Sequence, residues 1–241
     1  MCGRYASTSS SKELQSFFDT MQTVGDELPP SYNVAPTQPV RVILERTPHE
    51  EPDAEPPAPA QNCQMGGPAP CLAKDRKMAS KLINARSETV TEKPSFRNSA
   101  SKRRAIIPAT GYYEWMKSEA GSKIPYFLHG EDDILAMAGL YELWPDPELP
   151  EDDPNKWVWT CTVLTRPASD SLGAHTRQIP LILPESFWEH WLDPTLTDKG
   201  EVQAMINSVP EPHLEPYEVS TAVNSPRNNG PSLLEPIAGP A

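Results

Sequence analysis

The chain has 241 residues, enough for one large domain with a real core, yet only 37% are hydrophobic and 29 are proline, about twice the usual share. Its 33 acids against 21 lysines and arginines give a net charge of −12, which excludes a protein that coats DNA nonspecifically with a broad basic face. No run of 18 apolar residues exists, and the N-terminus MCGRYASTSS lacks the apolar stretch and basic flank of a signal peptide. The chain is therefore expected in the nucleus or cytoplasm, not secreted and without a membrane partner. Its cysteines, Cys2, Cys63, Cys71 and Cys161, have neither disulfide nor zinc spacing and read as reduced thiols.

In chain order, SSKELQSFFDTM reads as a helix: Leu14, Phe17, Phe18 and Met21 fall at helical spacing, and Ser10 with Glu13 forms a capping box. Val40–Leu44 reads as a strand. Residues 47–70 are proline- and glycine-laden without apolar period and are expected to form a solvated loop insertion. Arg104–Ile107, Pro125–Leu128 and Ile134–Leu143 are further strands, followed by a second loop insertion at about 145–154, PDPELPEDDP. Trp157–Thr165 alternates, with Trp157, Trp159, Cys161 and Val163 on one face. Helices are expected from Glu185 and from Asp198, and a late strand from Glu218. Strand-rich stretches with peripheral helices indicate an α+β fold rather than βαβ order, and one domain over residues 1–241.

Cys2 is the sharpest chemical feature. Removal of Met1, favoured by a small second residue, leaves a free α-amine beside a thiol. An α-amine has a pKa of about 7.7–8.0, so a useful fraction is neutral and nucleophilic near pH 7. It can form a Schiff base with an aldehyde, and the adjacent thiol can close a five-membered thiazolidine ring. An internal cysteine, whose nitrogen is an amide, cannot do this.

Cys2–Tyr5 (CGRY), Tyr32–Thr37 (YNVAPT), Ile83–Thr89 (INARSET), Arg103–Trp115 (RRAIIPATGYYEW), Ala138–Glu142 (AGLYE) and His175–Pro180 (HTRQIP) occur in this order. Val223–Pro231 (VNSPRNNGP) follows as a closing loop. Together they resemble the SOS-response-associated peptidase (SRAP) family of abasic-site processing proteins over nearly the whole chain outside the two insertions. The resemblance implies a mixed, mainly antiparallel, barrel-like core with peripheral helices. It also implies covalent capture of abasic sites in single-stranded DNA, whose ring-opened deoxyribose presents an aldehyde at C1′. It places the catalytic set on Cys2, Asn84, Glu114 and His175, and phosphate contacts on Arg4, Arg86 and Arg177. The peptidase name implies self-processing of the Met1–Cys2 bond, so hydrolase, protease and lyase chemistry are all expected of one site. No metal or organic cofactor is expected, and the protein is expected to act as a monomer.

The residue types suit these roles. Glu114 lies among aromatic residues that would desolvate it and fit it for proton transfer; otherwise it is a strand glutamate facing solvent. Asn84 offers a donor and an acceptor for the α-amine, although a lone asparagine is also a common turn residue. His175, with an ordinary pKa of about 6.5, suits a proton shuttle, whereas His190 has no second histidine four residues away and reads as structural. The run Lys102–Arg104 reads by default as a solvated face. Tyr112, Tyr113 and Trp115 are candidates for stacking on bases, or for the core. Family members carry a Trp-Gly-Leu-Ile-Pro-like segment before the Asn-Ala-Arg motif; here Met65–Lys74 has no tryptophan, which predicts a weakened preference for junction DNA.

Two alternatives remain: a non-covalent reader of damaged or modified DNA, and a glutamine amidotransferase using Cys2, which lacks its Arg-Gly-Pro-Asp-like and Asn-Gly-Glu segments. The acidity does not oppose DNA binding. Five acids and one base lie in residues 45–55 and nine acids with no base in 131–153, which leaves the rest of the chain at about +1. A local basic cleft with salt-sensitive affinity is the expectation.

Overall fold

The computed structural model describes residues 3–46, 59–65 (backbone), 82–118, 121–153, 156–168 and 178–237. The fold is α+β, built on two mainly antiparallel sheets. The first contains β1 (Tyr5–Ser7), β3 (Ser31–Val34), β8 (Gly111–Lys117), β9 (Lys123–His129) and β13 (Glu215–Glu218), in the order β13-β9-β8-β1-β3. The second contains β2 (Gln22–Val24), β4 (Pro39–Ile43), β5 (Pro59–Met65), β7 (Arg104–Ala109), β10 (Leu135–Pro145), β11 (Trp157–Pro167) and β12 (Gln178–Pro180), with β6 (Asn84–Arg86) paired to β11. The expected class therefore holds, but the strands divide between two sheets instead of forming one barrel. Each sheet is covered on both faces, on one by the other sheet and on the other by the helical layer or the C-terminal segment.

Between the sheets, Tyr5, Tyr112 and Leu128 of the first pack with Val42, Ile107, Met137, Cys161 and Val163 of the second. On the far side of the second sheet, Ile43, Ile106, Ala138 and Leu164 face the helical layer. That layer holds α2 (Arg97–Lys102), α3 (Trp188–Leu192) and α4 (Lys199–Ser208). On the outer side of the first sheet, Ala6, Tyr113 and Phe127 meet Val219, Val223 and Leu233 of the C-terminal segment. Sequence alternation is legible here: Cys161 and Val163 are buried on one face of β11, with Trp159 packed beside them, and Trp157 at the strand end is 59% exposed.

Helix α1 spans Ser11–Phe18, and both bonds of the Ser10–Glu13 capping box form. It stops before Met21 because Asp19 adopts a left-handed conformation (φ 50°), so Met21 lies outside the helix and exposed. The expected strand from Glu218 begins and ends earlier, as β13 at Glu215–Glu218. After it the chain turns through a 3-10 segment at Thr221–Asn224, capped by the Ser220 hydroxyl. Val219 still donates its N–H to the Pro125 carbonyl of β9 at 3.0 Å and bridges Pro236, and both Val219 and Val223 are buried against the sheet face.

Both expected loop insertions contain described residues that make regular backbone or buried contacts. Backbone of Pro59–Met65 within the first pairs with β4, β11 and β2, because ladder bonds need no apolar side chain. In the second, Asp146 is buried and its N–H donates to the Lys156 carbonyl at 2.7 Å. The Lys156 ammonium, itself buried, reaches the Leu149 carbonyl at 2.8 Å and the Glu151 carboxylate at 3.1 Å.

The basic run Lys102–Arg104 is only partly a solvated face: Lys102 is exposed, but Arg104 turns inward. Arg104 is 3% exposed, and its guanidinium donates to the carbonyls of Ala100 and Ser101 at 3.0 Å, Trp191 at 2.7 Å and Asp193 at 2.5 Å. One side chain thus satisfies the C-terminal carbonyls of α2 and α3 while lying over the Trp191 ring. Burial lowers its pKa to about 10, far enough above neutrality to keep it charged. Arg103 pairs at 2.7 Å with Glu142, a buried residue of the Ala-Gly-Leu-Tyr-Glu motif that also accepts from Ser99. Arg104→Met is expected to cost about 3 kcal/mol by stranding these carbonyls, a fall in Tm of roughly 6–12 °C. Thermal unfolding followed by circular dichroism checks this, and an unchanged Tm would contradict the capping role.

Candidate active site

Strand β1 lies antiparallel to β8, with Tyr5 opposite Tyr112 and Ala6 opposite Gly111. On the other side of β8 it is β9 that comes close: a Cβ on Gly111 would lie 2.3 Å from the Phe127 ring and 2.6 Å from the Leu128 carbonyl oxygen, so the Thr-Gly-Tyr-Tyr-Glu segment requires glycine there. One step back, the Tyr113 N–H donates to the Arg4 carbonyl at 2.9 Å. Continued one residue further, beyond the strand, the same register would set Gly3 opposite Glu114. Along β8, Tyr112 and Glu114 share the face turned to the second sheet, whereas Tyr113 and Trp115 face the C-terminal segment. Glu114 is 8% exposed, so the expectation that it is removed from bulk water holds, and the solvent-facing alternative does not.

Asn84 enters from the other sheet. It pairs with Val163 in parallel β6–β11 register, and Ala85 pairs with Leu164. Val163 belongs to the layer between the sheets and Leu164 to the helical side, so Asn84 lies on the inter-sheet face. Val163 and Tyr112 sit in the same core cluster. Asn84 and Glu114, thirty residues apart in sequence, therefore look into one layer from opposite walls.

The His175–Pro180 motif reaches the same neighbourhood through its described end. Gln178 opposes Pro167 and Pro180 opposes Thr165 on β11, while Arg86 opposes Thr165 from β6. Gln178 Nε2 also donates to Glu88 Oε1 at 3.5 Å, linking this motif to the Asn-Ala-Arg segment. Arg86 is exposed at the strand end. Cys2, His175, Arg177 and the segment after Met65 lacking tryptophan lie outside the described residues.

The aromatic candidates separate. Tyr112 and Tyr113 are fully buried and belong to the core, not to a stacking platform. The Tyr113 hydroxyl donates to the Tyr32 carbonyl at 2.7 Å, and burial pushes its pKa well above the ordinary range, so it remains a proton-bearing donor. Trp115 is half-buried and donates from Nε1 to Asn224 Oδ1 at 2.6 Å. Arg4, too, is half-buried and turned to the same closing loop.

Sequence reasoning missed Asn33. It is 2% exposed, accepts from Arg4 and donates to three loop carbonyls, so it joins the Tyr-Asn-Val-Ala-Pro motif to the Asn-Ser-Pro-Arg-Asn loop. The motif order hinted at it, but only the fold shows which backbone groups its amide satisfies. Among the described residues no cluster of His, Cys, Asp and Glu is suited to hold a metal. No described helix is long and apolar enough to cross a membrane.

Comparison with known proteins decides the family. The profile of the SOS response associated peptidase (SRAP) family matches residues 1–226.

The chain belongs to the SRAP family.

Abasic site processing protein YoqW of Bacillus subtilis (strain 168) is 35% identical over 98% of this chain and 99% of its own length. Abasic site processing protein HMCES of Gallus gallus is 31% identical, covering 86% of this chain and 66% of that protein. A crystal structure of a Bacteroides thetaiotaomicron protein superposes with a TM-score of 0.78 at 23% identity, covering 98% of this chain and all of that one, which shows the fold.

Within this SRAP chain Cys161 offers a control thiol. It is buried, and burial pushes its pKa up to about 12, which leaves almost no thiolate near neutrality. Iodoacetamide is expected to leave Cys161 unmodified in the native protein and to label it after unfolding, as read by peptide mass spectrometry. Rapid native labelling there would contradict the packing of the inter-sheet layer.

Proposed function

We propose that this protein captures abasic sites in single-stranded DNA by a covalent thiazolidine bond to Cys2, after loss of Met1. The observation that carries the reading is the register of β1 on β8, Tyr5 opposite Tyr112 with the Tyr113 N–H on the Arg4 carbonyl, whose continuation leads towards the buried Glu114. Asn84 faces the same layer, and the relatives named as abasic site processing proteins supply the substrate class.

The chemistry balances without a redox step. The α-amine nitrogen of Cys2 attacks C1′ of the ring-opened deoxyribose, and the aldehyde oxygen leaves as water, giving an imine. The Cys2 sulfur then adds to the imine carbon. A C–S bond forms, the thiol proton passes to nitrogen, and the ring closes through sulfur, C1′, nitrogen and the cysteine carbons. Glu114 is assigned the proton transfers of ring opening and dehydration, with His175 as a second shuttle at the sugar. Asn84 is assigned to hold the α-amine. Arg4, Arg86 and Arg177 are assigned to the phosphates flanking the lesion, where charge-assisted bonds fix register without reading sequence. The same thiol, with Glu114 and His175, is assigned the cleavage of Met1–Cys2. The adduct shields the lesion, and it forms in a monomer without metal or organic cofactor.

A single-stranded oligonucleotide carrying one abasic site tests this on a denaturing gel. A slower band that survives denaturation is the expected result. Reversible binding with no such band would instead support a non-covalent reader of damaged DNA.

A further inference from the structure

Arg4 sits at the start of β1, half-buried, with an unusual set of partners. Its Nη1 donates to Asn33 Oδ1 at 2.6 Å and to the Val223 carbonyl at 2.9 Å, and its Nη2 donates to the Asn224 carbonyl at 3.3 Å. Every acceptor is neutral. Among the described residues no carboxylate pairs with this guanidinium. A partly desolvated cation without a counter-ion is costly, and burial indeed lowers its pKa. Such a site is suited to an anion from outside.

Asn33 makes the arrangement possible. Its Nδ2 donates to the carbonyls of Val223 at 3.2 Å and of Ser225 and Asn228 at 3.0 Å, which leaves Oδ1 turned towards Arg4. An aspartate there would neutralise Arg4 and would set a carboxylate against three carbonyl oxygens. A hydrophobic residue would remove an acceptor from Arg4 and the amide donor shared by the Val223, Ser225 and Asn228 carbonyls. Only an amide satisfies both sides while keeping the positive charge uncancelled.

We propose that Asn33, with the closing-loop carbonyls, is a positioning residue that aims Arg4 at a DNA phosphate. This rests on the DNA-binding reading above and adds to it the group that orients the contact.

The test measures reversible binding, by fluorescence anisotropy across a salt series, to single-stranded DNA carrying a tetrahydrofuran abasic analogue that has no aldehyde. Arg4→Gln is expected to weaken binding about tenfold, as loss of a charged hydrogen bond does, and to lower the slope of log affinity against log salt by about 0.7. Asn33→Ala is expected to do the same, and the double variant to bind no more weakly than Arg4→Gln alone. If Asn33→Ala fails to fold, Asn228→Ala loosens the same cradle from an exposed position, where its Nδ2 donates to the Ala222 carbonyl at 2.7 Å. It is expected to give a smaller loss in the same direction, again absent on the Arg4→Gln background. Effects that multiply in the double variant, or an unchanged salt slope in Asn33→Ala, would overturn the cradle alone. No binding by the wild-type protein would overturn the function itself.

Discussion

Replacing Cys2 by alanine is expected to remove the denaturation-resistant adduct completely while leaving a reversible one that borohydride can trap. Alanine is small enough for Met1 removal, so the α-amine survives and still condenses with the C1′ aldehyde. What is lost is the sulfur that converts a hydrolysable imine into a closed ring. The packing of Cys161, the described alternative thiol, gives it no access to DNA and almost no thiolate. The wild-type adduct should therefore persist without reductant, and the alanine variant should yield one only with reductant. Persistence in both would show that another residue carries the bond.

Replacing Glu114 by glutamine is expected to slow capture by about 10²–10⁴-fold, the usual worth of a positioned acid–base group. The change keeps shape and hydrogen-bonding reach but removes the exchangeable proton. Two features make this residue the right target: the register of β1 on β8, continued past Arg4, leads towards it, and it is buried on the face shared with Tyr112. Reversible affinity for the tetrahydrofuran analogue should change by less than about twofold, because Glu114 is assigned no phosphate contact. A single-turnover time course at saturating DNA separates the two effects. Equal losses in rate and affinity would reassign Glu114 to DNA binding.

Much of the fold was legible because local chemistry and tertiary packing agree. The Ser10–Glu13 capping box starts α1 where the pattern places it, and alternation along β11 correctly puts Cys161 and Val163 on one face, although the opposite face, with Thr162 and Leu164, is buried as well. The failures have particular causes. Met21 has helical spacing, but the left-handed Asp19 ends the helix first. Arg104 looks like one charge in a solvated run, yet it is the donor that two helix C-termini need, and composition cannot reveal which carbonyls will lack partners. Val223 is apolar because it covers a sheet from a 3-10 segment, not because it belongs to a strand.

The site was partly legible in the same way. Glu114 and Asn84 stand in separate motifs, and nothing in their spacing says that one faces the other. That follows only from strand register: Tyr112 and Val163 share a core cluster, and each points the way its neighbour two residues on, or opposite, must point. Of the three aromatic candidates, two turned inward, because β8 is covered on both faces. Asn33 was invisible as a functional residue because its importance lies in satisfying backbone groups nearly two hundred residues away.

The central claim is that the N-terminal aminothiol forms the bond. Intact mass spectrometry of the product with an abasic oligonucleotide tests it most directly, followed by peptide mapping of the crosslink. The predicted mass is that of the chain without Met1 plus the oligonucleotide, less one water, with the linkage mapped to Cys2 and formed without reductant. An adduct that retains Met1, or one mapped to a lysine, would contradict it.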